Sequence, residues 1–166
     1  YRMVHSLFEW GYRRIGFMSL DFPHNSRTIE RKTGYRKAIA ELGLPSDPGL
    51  EAKVSFGFQA GRDGLKSILA AQPNTDAIFC SSDTLAVGAL TEAIRMGLRV
   101  PDDLAIAGFG DVELAAELVP SLTTVRLPRA EIGSRTADVL LARIAGTYDG
   151  PSVIDCGYEI VRRESA

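Results

Sequence analysis

Three aspartates, Asp21, Asp83 and Asp111, each stand just after a short apolar run, and two arginines, Arg27 and Arg31, stand four residues apart. Carboxylates that converge at strand ends can serve as acid and base, accept hydrogen bonds from a polyol, or cap a helix. Arg27 and Arg31 fall on one face near a helix start, where cations oppose the helix macrodipole. One reason for them is an anion or polyhydroxylated ligand held between the two guanidinium forks; the other is a solvated face balanced by Glu30 and Glu41. Phe56, just before Gly57, offers either a flat platform for a sugar ring or a core side chain.

Signatures of enzymes are thin. Gly108-Phe109-Gly110 resembles the start of a dinucleotide fingerprint, but Glu113 occupies the place of its last glycine and no long helix follows at once. The two histidines, His5 and His24, are 19 residues apart and lack the cysteine partners of a metal site. There is no G-x-S-x-G elbow and no P-loop lysine motif. Binding without catalysis, with no cofactor and no metal, is the more economical account.

The elements that must position these groups alternate. A helix carrying Val4, Leu7 and Phe8 ends at Gly11; Arg14 to Leu20 is a buried strand; Arg27 to Leu42 is a helix with Tyr35, Ala38, Ile39 and Leu42 on one face. Strands follow at about Lys53 to Phe56, Asp76 to Cys80, Leu104 to Phe109 and Leu122 to Arg126. A helix carrying Leu65, Ile68 and Leu69 stops before Pro73, and further helices follow at Thr84 to Met96, Glu113 to Leu118 and from Pro128 to Ala145. Residues 152–162 read as an extended pair hinged near Gly157. Such alternation requires crossover helices, so the expected fold is α/β: an open parallel sheet with helices on both faces, a three-layer sandwich. In such a sheet ligands bind outside the carboxyl ends of the strands, which selects the loops holding Asp21 to Arg31, Phe56, Ser81 to Asp83, and Gly110-Asp111.

The 166 residues suffice for one domain, and 45% hydrophobic with 24% charged residues is the balance of a soluble, core-forming chain. A net charge of −2 gives no global positive field for a phosphate backbone, so these residues are not expected to hold DNA. No apolar run reaches membrane-span length and no signal pattern opens the chain, so a cytoplasmic location is expected. Cys80 and Cys156 sit in short apolar runs, as buried reduced thiols do.

Several segments in order carry a family resemblance: Phe8-Glu9-Trp10-Gly11-Tyr12-Arg13-Arg14-Ile15-Gly16-Phe17, Arg31-Lys32-Thr33-Gly34-Tyr35, Ile78 through Ala89, Gly97 through Phe109, Pro120 through Arg126, and Val161-Arg162-Arg163-Glu164-Ser165. Together they resemble the effector-binding domain of LacI/GalR-family bacterial transcription regulators over essentially the whole chain. The resemblance implies a periplasmic-binding-protein-like (type I) lobe, with residues 1–127 and 152–166 as the C-terminal lobe and 128–151 as a helix that crosses to the other lobe. The chain begins inside that core, so the DNA-binding headpiece and most of the first lobe are expected to lie outside it.

Carried over residue by residue, the resemblance implies that Arg31 holds ligand hydroxyls or carboxylates and that Phe56 is the aromatic platform. Ser82-Asp83 stands for the family's usual Asn-Asp pair. Gly110 replaces an aspartate common in sugar-responsive members, and Asp111 follows it. With Arg27 and Pro128-Arg129, this is similar to the gluconate-responsive branch. Effector contacts are therefore expected at Arg27, Arg31, Phe56, Ser82, Asp83 and Asp111, with a sugar acid as effector. The helix after Asp83 is apolar around most of its circumference, and the family dimerises there, so Leu85, Val87, Leu90 and Leu118 are expected at a homodimer interface. The partners implied are a sugar or sugar-acid effector and, through the headpiece, operator DNA. A periplasmic sugar-binding protein for transport or chemotaxis is the alternative of the same fold.

Overall fold

The computed structural model describes residues 1–22 and 24–166; Pro23 lies outside them. The chain runs α1 (Arg2–Glu9), β1 (Ile15–Leu20), α2 (Ser26–Glu41), β2 (Glu51–Val54), α3 (Phe58–Ala71), β3 (Ala77–Cys80), α4 (Asp83–Arg95), β4 (Ala105–Gly110), α5 (Leu114–Glu117), β5 (Thr123–Arg126), α6 (Arg129–Ile144) and β6 (Glu159–Val161). One six-stranded sheet has the order β2-β1-β3-β4-β5-β6. Its first five strands are parallel, as expected, and β6 is antiparallel to β5. The exception follows from connectivity: the chain leaves the carboxyl end of β5, makes the α6 excursion and returns at that same end, so β6 must run back. Of the expected extended pair over 152–162, only Glu159–Val161 pairs as a strand.

Alternation along the strands builds two cores. Ile15, Phe17, Ala77, Phe79, Ala105, Ala107 and Val125 point to one face, under α1 and α2. Met18, Leu20, Ile78, Cys80 and Ile106 point to the other, under α3 and α4. Helix α1 reaches the sheet with Met3, Val4 and Leu7, all buried. Asn25 starts α2, its side chain accepting hydrogen bonds from the amides of Arg27 and Thr28. Tyr35 on α2 lies stacked on Phe17, and its hydroxyl donates to the Ile15 carbonyl at 2.8 Å.

Helices α3 and α4 cross in backbone contact. A Cβ built on Gly61 would overlap the Leu85 carbonyl oxygen, and one on Gly88 would overlap that of Phe58. Beside this crossing Glu92 of α4, only 6% exposed, accepts from Arg62 at 2.8 Å and pairs with Lys66 at 3.1 Å, both on α3. Hydrogen bonds from Lys66 and then Arg62 hold its carboxyl below the usual range.

Two departures bear on the site. Strand β2 begins two residues earlier than expected, straight after a 3-10 turn at Pro48–Leu50 that the Asp47 side chain caps, so Phe56 lies in the bend beyond the strand. Helix α6 buries none of its residues; Leu140, Leu141 and Ile144 are 57%, 65% and 75% exposed. No helix is long and apolar enough to cross a membrane among the described residues. Cys80 is buried and Cys156 half-buried, both as free thiols; burial pushes the Cys80 thiol well above its usual value.

Candidate functional site

The carboxyl ends of β1, β3 and β4 carry the site. Helix α2 starts just beyond β1 and places Arg27 and Arg31 in its first two turns. The Arg31 Nη1 donates to the Ser81 carbonyl, at the end of β3, at 3.1 Å. Its guanidinium lies 3.9 Å from the centroid of the Phe109 ring on β4, which fixes the plane of the fork. No carboxylate forms an ion pair with Arg31 among the described residues. Burial first, and then the neighbouring charge of Arg27, lower its pKa. Arginine stays protonated in spite of this, so the site holds a half-desolvated cation beside another cation. That is an environment in which an anion would be favoured. Beside Arg31 opens a cavity of about 390 Å³ lined by Phe79, Phe109, Val125, Leu127 and Tyr158.

The expected residues divide into two groups. Arg27 and Arg31 come together, and Ser82 caps α4 with its Oγ accepting from the Leu85 amide at 3.4 Å. Phe56 is 63% exposed, so it is a surface ring and not a core one, but it stands beyond the edge strand β2 and stacks on no other group among the described residues.

Asp83 and Asp111 are held by partners within the chain. Asp83 is 2% exposed; its Oδ1 accepts from the Thr124 hydroxyl at 2.6 Å and its Oδ2 from the Val112 amide at 2.9 Å. It ties α4 to the loop after β4. Asp111 accepts from Arg126 at 2.5 Å and from Arg163 at 2.7 Å. Burial opposes its charge, but these two arginines prevail and hold its carboxyl below the usual range.

The dimer surface is corrected in part. Leu85 and Leu90 are 0% and 2% exposed, packed in the core of this same chain, and so offer nothing to a second copy. Helix α4 is apolar on two sides because it packs on the sheet and, beside it, against α3. Val87 and Leu118 remain partly exposed.

Phe109 is the site residue that sequence reasoning missed. Its signal was the pleat: it shares the face of Ala105 and Ala107, which α2 covers, and α2 carries Arg31.

A periplasmic binding protein-like domain matches residues 4–166. The chain is 39% identical over 157 residues to the HTH-type transcriptional regulator GntR of Pseudomonas aeruginosa, covering 93% of this chain and 45% of that protein. It is 36% identical over 165 residues to the HTH-type transcriptional repressor CytR of Escherichia coli, covering 98% and 47%. Among solved structures, the transcription regulator GntR from Chromobacterium violaceum superposes with a TM-score of 0.91 at 38% identity, covering 99% of this chain and 60% of that one. A complex of the transcriptional regulator CelR with cellobiose superposes with a TM-score of 0.91 at 30% identity, covering 98% and 50%. The chain thus spans about half the length of the curated relatives it matches. The chain belongs to the periplasmic binding protein-like domain family, in the form found in transcriptional regulators of the LacI type.

Proposed function

We propose that this chain is the effector-sensing half of a bacterial LacI/GalR-type regulator whose effector is a sugar acid, gluconate or a close relative. The observation that carries the reading is Arg31: half-buried, stacked on Phe109, beside Arg27, and paired with no carboxylate among the described residues. A carboxylate on the ligand would supply the missing counter-charge in charge-assisted hydrogen bonds, and the aldonic hydroxyls would meet the polar loop ends. Gly110 adds no negative charge at the same loop, whereas an acid there would repel an anion.

The bare apolar stripe of α6 supports the division in which residues 128–151 belong to a second lobe, because a stripe of that kind needs a surface to cover it. The intact protein then closes two lobes on its effector. Coupling of about 1–3 kcal/mol between that closure and a DNA-binding headpiece changes operator affinity. It works as a cytoplasmic homodimer with Val87 and Leu118 toward the partner, and it catalyses no reaction. The similarity to regulators over the full chain favours this reading over a transport protein of the same fold.

A thermal-shift panel on the full-length protein tests the reading. Aldonic acids should raise the melting temperature and neutral hexoses should not; stabilisation by hexoses alone would sink it.

A further inference from the structure

The carboxylate of Asp111 sits where the strands that leave and re-enter this lobe meet. In the sheet register Gly110 of β4 stands opposite Arg126 of β5, and Arg126 stands opposite Glu159 of β6. Arg126 is the last residue of β5 before the chain departs toward α6, and Glu159 is the first of β6 after it returns. Arg126 donates through Nε to Asp111 Oδ2 at 2.5 Å and through Nη1 to Glu159 Oε2 at 3.0 Å. Arg163, just past β6, donates to Asp111 Oδ1 at 2.7 Å and to the Leu122 carbonyl at 2.7 Å. Arg129, the first residue of α6, donates to the carbonyl of Gly110. Asp111 adopts a left-handed backbone, φ 52°, which aspartate enters more readily than most non-glycine residues.

The bonds from Arg126 and Arg163 to Asp111 and from Arg129 to Gly110 join the end of β4 and the loop after it to segments that connect this lobe with α6, and the Arg126–Glu159 bond ties the departing segment to the returning one. The loop after β4 is also the one that Asp83 grips at Val112 and that follows directly on Phe109, the platform under Arg31. Loop, departing strand and returning strand therefore move as one body while the pairs persist.

We propose that Asp111 is a positioning residue of the lobe hinge: with Arg126, Glu159 and Arg163 it fixes the direction in which the chain leaves and re-enters this lobe, and so sets the resting angle between the lobes. The proposal rests on the two-lobed reading above. It departs from the expectation that Asp111 touches effector, and it places the residue's effect in the conformational equilibrium that the effector biases.

The test needs no effector. Full-length protein carrying one label in each lobe is measured by pulsed dipolar spectroscopy, as wild type, Asp111→Asn, Arg126→Gln, the double variant and Glu159→Gln. Hydrogen exchange is followed on the same samples. Asp111→Asn should shift or broaden the interlobe distance distribution and speed exchange of amides 127–129 and 158–160 by about tenfold. Arg126→Gln should do the same, and the double variant should fall short of the sum of the two, since the Arg126–Asp111 pair is lost in both single variants. Glu159 is exposed, so Glu159→Gln keeps the fold and should show a smaller change of the same sign, which preserves the test if Asp111→Asn fails to fold. An unchanged distance distribution in the folded variants, or additive effects, overturns the proposal. A wild type with no second lobe overturns the hinge and the two-lobed reading together. A shifted distribution in a protein that binds no sugar acid keeps the hinge and rejects the effector.

Discussion

Arg31 and Asp111 show what residue type alone conveys and what it leaves out. Position at a strand's carboxyl end was legible from the alternation of apolar runs and loops, and it located Arg27 and Arg31 correctly near the start of α2. Whether a charged side chain is free for a ligand depends on partners far along the chain. Asp83 is answered by Thr124, and Asp111 by Arg126 and Arg163. No local spacing reveals those pairs. They tie the two aspartates to the chain's own groups and leave Arg31 and Arg27 without an ion pair among the described residues. Replacing Arg31 with lysine keeps the charge but loses the planar stack on Phe109 and the fork, so aldonate affinity should fall by about tenfold or more in a direct titration. Asp111 makes a second prediction. Its carboxyl titrates below its unfolded value near 4, so its ion pairs stabilise the fold fully above that value and are lost as pH falls through the folded one. Denaturant midpoints should decline on acidification through this range. Asp111→Asn should be less stable than wild type at pH 7, with the gap closing at low pH; a gap independent of pH would contradict this.

Among the elements, the helices and strands were largely legible because each changes the hydrophobic period and ends on glycine, proline or a capping residue. Two features were not. The apolar surplus of α4 suggested a partner subunit, whereas it arises from packing on two sides, against the sheet and against α3. Periodicity reports how much of a helix is buried and says nothing of what buries it. The antiparallel β6 was illegible because its direction depends on where α6 returns the chain. The α3–α4 crossing gives a sharp test. Gly88→Ala and Gly61→Ala put a methyl against a backbone carbonyl that no rotamer change can clear, so each should cost about 1–3 kcal/mol and lower the melting temperature. Gly133→Ala on α6 meets no neighbouring atom and should be neutral or slightly stabilising, which makes it the control.

For the whole molecule, the layered sheet, the ligand side of the sheet and the segment that detaches from it all follow from one connectivity. The chain builds five parallel strands, departs at β5, and returns at β6 to fasten its end to the sheet, where Ser165 donates to the Ile106 carbonyl at 2.6 Å and accepts from the Thr123 amide at 2.8 Å. Between departure and return lies α6, with an apolar face bare and a cavity of about 570 Å³ between it and residues 148–157. In the proposed two-lobed protein this lobe offers half of the cleft that encloses the effector. The proposed cleft is built for an anion around Arg31. Calorimetric titration of the full-length protein with gluconate and with glucose, on wild type and Arg31→Ala, tests it most directly. Saturable gluconate binding that weakens by at least about tenfold in the variant, with no binding of glucose, is the predicted result. Glucose binding as tightly as gluconate, or gluconate binding untouched by Arg31→Ala, would contradict it.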